Sequence, residues 1–345
     1  MTRAASSAAR VYSLVRRGGR LALALATGSR LPYSVTFILT HRCNFQCEHC
    51  DIPAAAAAEM STDELRRAID ELADAGLARA SFSGGEALVR PDAVELIAHA
   101  RSRGLFTSLN TNGWLVRQNI DGLAGALDMM TLSLDGPEAV HDRVRQRRGS
   151  YRRVIEAIEA ARAASIAVAT ITVITDDNLD IVDDVLGLAE RYGFWAYFQP
   201  AYVDCFDHGS GLAPTVTSAL LADLAGRLGA ARRAGRAVAA SPGFLERLAR
   251  GPDGFGDCAR CHAGRYFGTV MPDGTVVPCH LVSRAAPHPD GRAMGFARAF
   301  AAMPEKTGPG CAISPYQESD LIFGLDGRAI AAAVERVVRR PRPAG

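Results

Sequence analysis

The sequence predicts an α/β protein built on a partial, TIM-like (β/α)6 barrel with a small C-terminal domain. Three observations carry this reading. Strand-like and helix-like segments alternate from Ser34 to about Ala234. Six such pairs imply parallel strands with right-handed helical crossovers, and six are too few for a closed eightfold barrel. After a Pro- and Gly-rich stretch at residues 241–256, the pattern changes to two short strands about a turn.

The first strand is Ser34–Thr40, rich in β-branched and aromatic residues, and a cysteine-bearing loop follows it. Ser61-Thr-Asp-Glu64 is a capping box that opens a helix to about Gly76. Ala78–Ser83 is the second strand, and Pro91 sits in the first turn of the next helix, which ends near Gly104. Leu105–Asn110 and Val116–Leu127 form the third pair. Met129–Leu134 is a strand closed by the turn Asp135-Gly136-Pro137, and Ser150–Ala164 is its helix. Ile166–Ile174 with Leu179–Tyr192, and Phe194–Pro200 with Val216–Ala234, complete the six. Beyond residue 256, Tyr266–Met271 and Val276–Cys279 flank Pro272-Asp273-Gly274 and read as a hairpin.

The chain therefore divides into a helical extension (residues 1–33), the barrel (34–240) and a C-terminal domain ending in a helix (241–345). In the extension, Arg10, Arg16, Arg17 and Arg20 precede the apolar run Leu21–Ala26. This superficially resembles a signal peptide, but the run is far shorter than the ~20 apolar residues that span a bilayer. Val11, Leu14 and Val15 have helical spacing. They predict a short helix over about residues 5–17 packed on the domain, with contact to a membrane surface as the alternative.

Hydrophobic content of 48%, charged content of 22% and a net charge of +2 are those of an ordinary soluble domain. They give no argument for nucleic acid or for an acidic partner. The eight cysteines fall in two groups and a single: Cys43, Cys47 and Cys50; Cys205; and Cys258, Cys261, Cys279 and Cys311. Unequal clusters in a large α/β chain point to metal binding rather than disulfides, hence to a reducing compartment, the cytoplasm.

Soft thiolates select zinc or iron–sulfur centres. Three thiols within eight residues leave a four-iron cube with one iron lacking a protein ligand, an open position where substrate can bind. A structural zinc site, with His41 or His49 as the fourth ligand, is the alternative. The second group offers four thiols, enough for one cluster; a zinc ribbon is again the alternative.

The run Cys43-x3-Cys47-x2-Cys50, with aromatic His49 before the last cysteine, resembles the radical S-adenosylmethionine (SAM) enzymes. The resemblance extends to Ser83-Gly84-Gly85-Glu86 after the second strand, Asn110-Thr111-Asn112-Gly113 after the third, and Ser133-Leu-Asp-Gly-Pro137 with His141-Asp142 and Arg145 after the fourth. Ala87 stands where the family usually has Pro. The run Gly274-x4-Cys279 that closes the hairpin resembles the SPASM and Twitch domains, closer to the single-cluster Twitch group because only Cys311 follows.

The resemblance implies a [4Fe–4S] cluster on Cys43, Cys47 and Cys50 that cleaves SAM reductively to a 5′-deoxyadenosyl radical. It implies SAM contacts from His49, Gly84, Gly85, Glu86, Asn110, Asn112, Ser133 and Arg145. It also implies one auxiliary [4Fe–4S] cluster on Cys258, Cys261, Cys279 and Cys311, with His262 an alternative to Cys258, and an electron donor such as flavodoxin or ferredoxin. Two bland readings stand beside these: Arg145 in a surface ion pair, and Asn178 capping a helix. Cys205, in neither group, is a candidate hydrogen-atom donor in epimerase-type chemistry; the alternatives are dehydrogenase-type oxidation and a buried structural thiol. Only 42 residues precede Cys43, and this favours a small-molecule substrate (a sugar, aminocyclitol or lipid). A ribosomal peptide is the alternative, and a non-enzymatic zinc module the rival of another class.

Overall fold

The structure, a computed structural model, describes residues 17–50, 52–54, 58–201, 217–256, 260–279, 287–304, 310–339 and 341. Cys205, Cys258 and residues 5–16 of the expected N-terminal helix lie outside the described residues. Helix α1 (17–27) covers the apolar run instead. Leu21, Ala24 and Leu25 pack with Leu31, Tyr266, Phe267 and Phe323, and Arg17 donates to the carbonyls of Arg103 and Gly104.

Six strands follow with their crossovers: β1 (Ser34–Ile38), α2 (Thr62–Ala75), β2 (Arg79–Ser83), α3 (Ala93–Ser102), β3 (Phe106–Thr111), α4 (Val116–Leu123), β4 (Met129–Ser133), α5 (Glu138–Val144), α6 (Ser150–Ala163), β5 (Ala167–Ile174), α7 (Ile181–Tyr192) and β6 (Trp195–Pro200). Helices α8 (Ser218–Arg233) and α9 (Pro242–Ala249) lead to the hairpin β7 (Phe267–Val270) and β8 (Val276–Val277). Helices α10 (Gly291–Met294), α11 (Phe296–Ala301), α12 (Ser314–Phe323) and α13 (Gly327–Val338) end the described chain. Local chemistry explains the boundaries. Ser61 and Glu64 form both bonds of the predicted capping box, and Thr217 and Ser241 cap α8 and α9 through their hydroxyls.

The six strands are parallel and in sequential order, and the hairpin joins the same sheet: β6-β5-β4-β3-β2-β1-β7-β8. β7 pairs parallel with β1, Ser34 opposite Phe267 and Phe37 opposite Val270. The C-terminal region thus extends the barrel wall. Alternate residues of each strand face the helices: Val35, Phe37, Ala80, Phe82, Leu109, Met130 and Leu132 are buried in one core with α2, α3 and α6. Their neighbours (Thr36, Arg79, Asn110, Thr131, Ser133, Tyr197, Gln199) are half-buried and line a polar lumen. Helix α12 closes the open side. It contacts β6, while its Tyr316 and Phe323 pack on Phe267 of β7. Among the described residues, no helix is long and apolar enough to cross a membrane.

Candidate active site

The loop carrying Cys43, Cys47 and Cys50 leaves the C-terminal end of β1, where reactive loops gather in such folds. The Gly84-Gly85-Glu86 turn after β2 clasps it. Gly85 N–H donates to Thr40 O and Glu86 N–H to Arg42 O, each at 2.9 Å. A Cβ on Gly84 would stand 2.4 Å from Thr40 O, and one on Gly85 2.5 Å from both His41 O and Arg42 O. The close approach that requires glycine here is made by the chain itself. Gly85→Ala is therefore expected to push the loop out of place, because backbone oxygens cannot rotate away as a side chain can. Iron uptake on anaerobic reconstitution should fall severalfold while far-ultraviolet circular dichroism is retained; full iron uptake would count against the clasp.

Glu86 is 1% exposed. Its carboxylate accepts from Leu88 N–H (3.0 Å) and Asn112 N–H (2.8 Å) and lies 2.9 Å from the Thr111 hydroxyl. Burial pushes its pKa up against these bonds. It ties the β2 turn to the end of β3. From there the Asn112 amide donates to Asn44 Oδ1 at 2.7 Å and stands 3.9 Å from Cys43 Sγ.

The β4 end reaches the same loop. Arg145, 7% exposed, donates from Nε to Asp135 Oδ2 at 2.6 Å and from Nη1 to Cys47 Sγ at 3.7 Å. Arg145 is thus not in a surface ion pair: it joins a fully buried carboxylate to a thiol. Glu48 N–H bonds to Val144 O at 3.0 Å, so the end of α5 seats the loop. Sequence reasoning passed over a second bracket. Glu59 accepts two bonds from Arg42 (2.9 and 3.0 Å) and one from Arg90, whose Nη1 also reaches Leu39 O and Met60 O. No local motif announces it, since these residues are up to 51 positions apart.

The donor set fits an iron–sulfur cluster. Phe45 N–H donates to Cys43 Sγ at 3.4 Å. Burial, helped by the Glu86 carboxylate and the charges of Cys47 and Cys50, pushes the Cys43 thiol up to about 11. Thiolates that repel one another this way are stabilised together by cationic metal, binding of which displaces their protons. Among the described residues, no three His, Cys, Asp or Glu side chains converge on a single metal ion. His49 is held below its ordinary pKa, by burial and then by Arg145, and is neutral at pH 7. Asn110 and Ser133 stand at the C-terminal ends of β3 and β4 on the lumen side. Asn178 Oδ1 accepts from Thr175 N–H at 2.7 Å and its amide donates to Val173 O, so it closes the turn before α7.

The second group gathers at the hairpin. Cys279 is buried. Cys311 is pushed up to about 12 by burial, with Cys279 and Cys261 adding to it, so the three are electrostatic neighbours. Gln317 of α12 donates to Cys311 O at 2.7 Å. His262, beside Cys261, bonds through Nδ1 to Asp320 of α12 at 2.8 Å.

His141, fully buried under the β4 loop, accepts from Asp135 N–H through Nδ1. Burial lowers its pKa from 6.5 to about 4, with Asp135 opposing and Arg145 adding. The unfolded chain takes up this proton near pH 6.5, the folded chain only near 4. The contribution to stability is therefore full above pH 6.5 and is lost as pH falls through that window, on the order of 3 kcal/mol. Denaturant midpoints at pH 7 and 4.5 should differ accordingly in the wild type and much less in His141→Asn. An unchanged slope in the variant would assign the loss elsewhere.

A parallel partial barrel with three thiols on the loop after β1, clasped by a Gly-Gly-Glu turn, defines an iron–sulfur barrel enzyme. The chain belongs to the radical SAM superfamily. Residues 37–189 match the Radical SAM superfamily profile. The PqqA peptide cyclase of Rhodopseudomonas palustris is 32% identical over 72% of this chain and 67% of its own length. That of Ruegeria pomeroyi is 33% identical over 74% and 70%. The fold is shared with Streptococcus suis SuiB bound to its precursor peptide SuiA, at a TM-score of 0.66 and 13% identity over 84% of this chain and 70% of that one. SAM and a [4Fe–4S] cluster are accordingly its cofactors.

The expectation of a sugar, aminocyclitol or lipid substrate is corrected by these relatives, whose names specify a peptide. It rested on the number of residues before Cys43, and that length does not encode substrate class.

Proposed function

We propose that this chain is a radical SAM enzyme that modifies a peptide. The observation that carries this is the likeness to PqqA peptide cyclases along nearly three quarters of the chain. The cluster, bound by Cys43, Cys47 and Cys50, supplies the electron that splits SAM and so the radical that takes a hydrogen atom from the peptide. The chain's own residues position and shield this chemistry. The Gly84–Glu86 turn and Asn112 fix the cysteine loop from one side, and Arg145 holds Cys47 from the other. His49, Asn110 and Ser133, at the barrel mouth, are candidate SAM contacts. Cys258, Cys261, Cys279 and Cys311 would hold one auxiliary cluster, which would accept the electron released when the peptide radical closes a bond and loses a proton. Flavodoxin or ferredoxin in the cytoplasm supplies the reducing electron.

The test is anaerobic incubation of reconstituted protein with SAM, dithionite and short peptides encoded beside its gene, read by mass spectrometry. A peptide lighter by the hydrogens removed, appearing only with SAM, supports the reading. Turnover of SAM with every such peptide unchanged would overturn it.

A further inference from the structure

Among the described residues, Arg79 on the lumen wall meets no acidic side chain. It opens β2, and in register it lies level with Phe106 of β3. Its Nη2 nevertheless donates to Ser108 Oγ at 3.3 Å, one inward-facing layer nearer the C-terminal ends. A layer of two residues rises ~6.6 Å, so the guanidinium climbs the lumen toward the mouth where the cysteine loop sits. Its centre passes 5.9 Å from the Phe106 ring. Tyr197 of β6 lies within electrostatic reach of Arg79, and Arg336 of α13, 5.7 Å over the Tyr197 ring and 3.9 Å from Glu318, adds a like charge.

The other deep arginines of the barrel meet acids: Arg90 meets Glu59 and Asp92, and Arg145 meets Asp135. Arg79 meets none among the described residues. Its Nε is buried without a hydrogen-bond partner, and the groups that act on its charge are Tyr197, burial and the like charge of Arg336. A guanidinium taken from bulk water without a counter-charge is costly. It is tolerated where a ligand supplies the anion, and the fork geometry of arginine matches a carboxylate.

We propose that Arg79, with Ser108 and Tyr197, forms the floor of the substrate pocket and binds a carboxylate of the peptide, from an acidic side chain or from its C-terminus. This rests on the peptide reading above and deepens it: the substrate enters the lumen acid first. Ser108 lies one strand layer below Asn110, so the neighbouring peptide atoms, not the carboxylate, come to the level of Asn110 and Thr131. Arg79 is a specificity residue and takes no part in splitting SAM.

The test uses the full, cluster-loaded chain and three probes at equal ionic strength: N-acetylglutamic acid amide (side-chain carboxylate only), N-acetylalanine (terminal carboxylate only) and N-acetylglutamine amide (neutral). Melting temperature should rise with one or both carboxylates relative to the neutral amide in the wild type. The larger response identifies the source of the carboxylate. The response should vanish in Arg79→Met, which without ligand should melt no lower than the wild type because it removes an uncompensated charge. Equal responses to all three probes, or a carboxylate response kept by Arg79→Met, would overturn the proposal. On any peptide that is processed, Arg79→Met should raise KM roughly tenfold or more, the loss expected for a charged hydrogen bond. An unchanged KM overturns the Arg79 site and leaves the peptide reading intact. Carboxylate binding with no peptide processed overturns the peptide reading and leaves the site.

Discussion

Replacing Cys43, Cys47 and Cys50 together with alanine is expected to abolish dithionite-driven 5′-deoxyadenosine formation outright. Soft sulfur ligands are what select an iron–sulfur centre, and the turn after β1 offers three of them on one loop. No other described thiol reaches this end of β1: Cys261, Cys279 and Cys311 belong to the hairpin and α12. The variant also separates the two cysteine groups. It should keep about four irons per chain, the content of one [4Fe–4S] cube, on the C-terminal group. Undiminished 5′-deoxyadenosine would remove the loop from the chemistry, and a variant holding zinc and no iron would refute the auxiliary cluster.

Arg145→Met should cost about 3–5 kcal/mol of stability, the usual penalty for stranding one partner of a buried ion pair. Asp135 has no exposed surface, and its carboxyl is held below its ordinary pKa against burial by Arg145 first, then His141 and His49. Without the guanidinium, an isolated carboxylate faces a protein interior, and Cys47 Sγ loses its Nη1 donor. Asp135→Asn in the Arg145→Met background should recover much of the loss, since the stranded charge is then gone. Urea denaturation of the four proteins gives the coupling. A single variant within about 0.5 kcal/mol of the wild type would show that water already shares the site.

The barrel was legible because each strand is a short β-branched run ended by turn chemistry, and each helix has its own cap or apolar period. The six strands fall within two residues of their expected bounds. Helix α5 was hidden because Asp135-Gly136-Pro137 reads as a turn, whereas Pro137 also stands at the N-cap position of the seven-residue helix after it. Helix α12 carried no periodic signal: Ser314, Gln317, Glu318 and Asp320 are as buried as Leu321 and Phe323, and the last three of these polar residues bond to Ser241, Arg247, His262 and Cys311. At the site, the cysteines and glycines were visible as residue types at fixed spacing. Their mutual support was not, because hydrogen bonds such as Glu86 to Asn112 or Arg145 to Cys47 join positions that only the fold brings together. Glycine at 84 and 85 was expected to admit a ligand; that the cysteine loop itself approaches both closely could not be read from the sequence.

The parallel seam between β1 and β7 joins residues more than 200 positions apart. During synthesis, β1 and the cysteine loop emerge early with one flank bare, and its partner follows only after all six crossovers. Bringing such distant segments together is slow, because chain entropy is lost before the contact rewards it. Until then β1 is an unprotected edge, the kind of surface on which nascent chains stick to one another. Assembly of this protein is therefore gated by its last-made strands, and the order of events in the cell matters: metal delivered before the hairpin arrives meets a loop whose supporting strand is not yet locked in place.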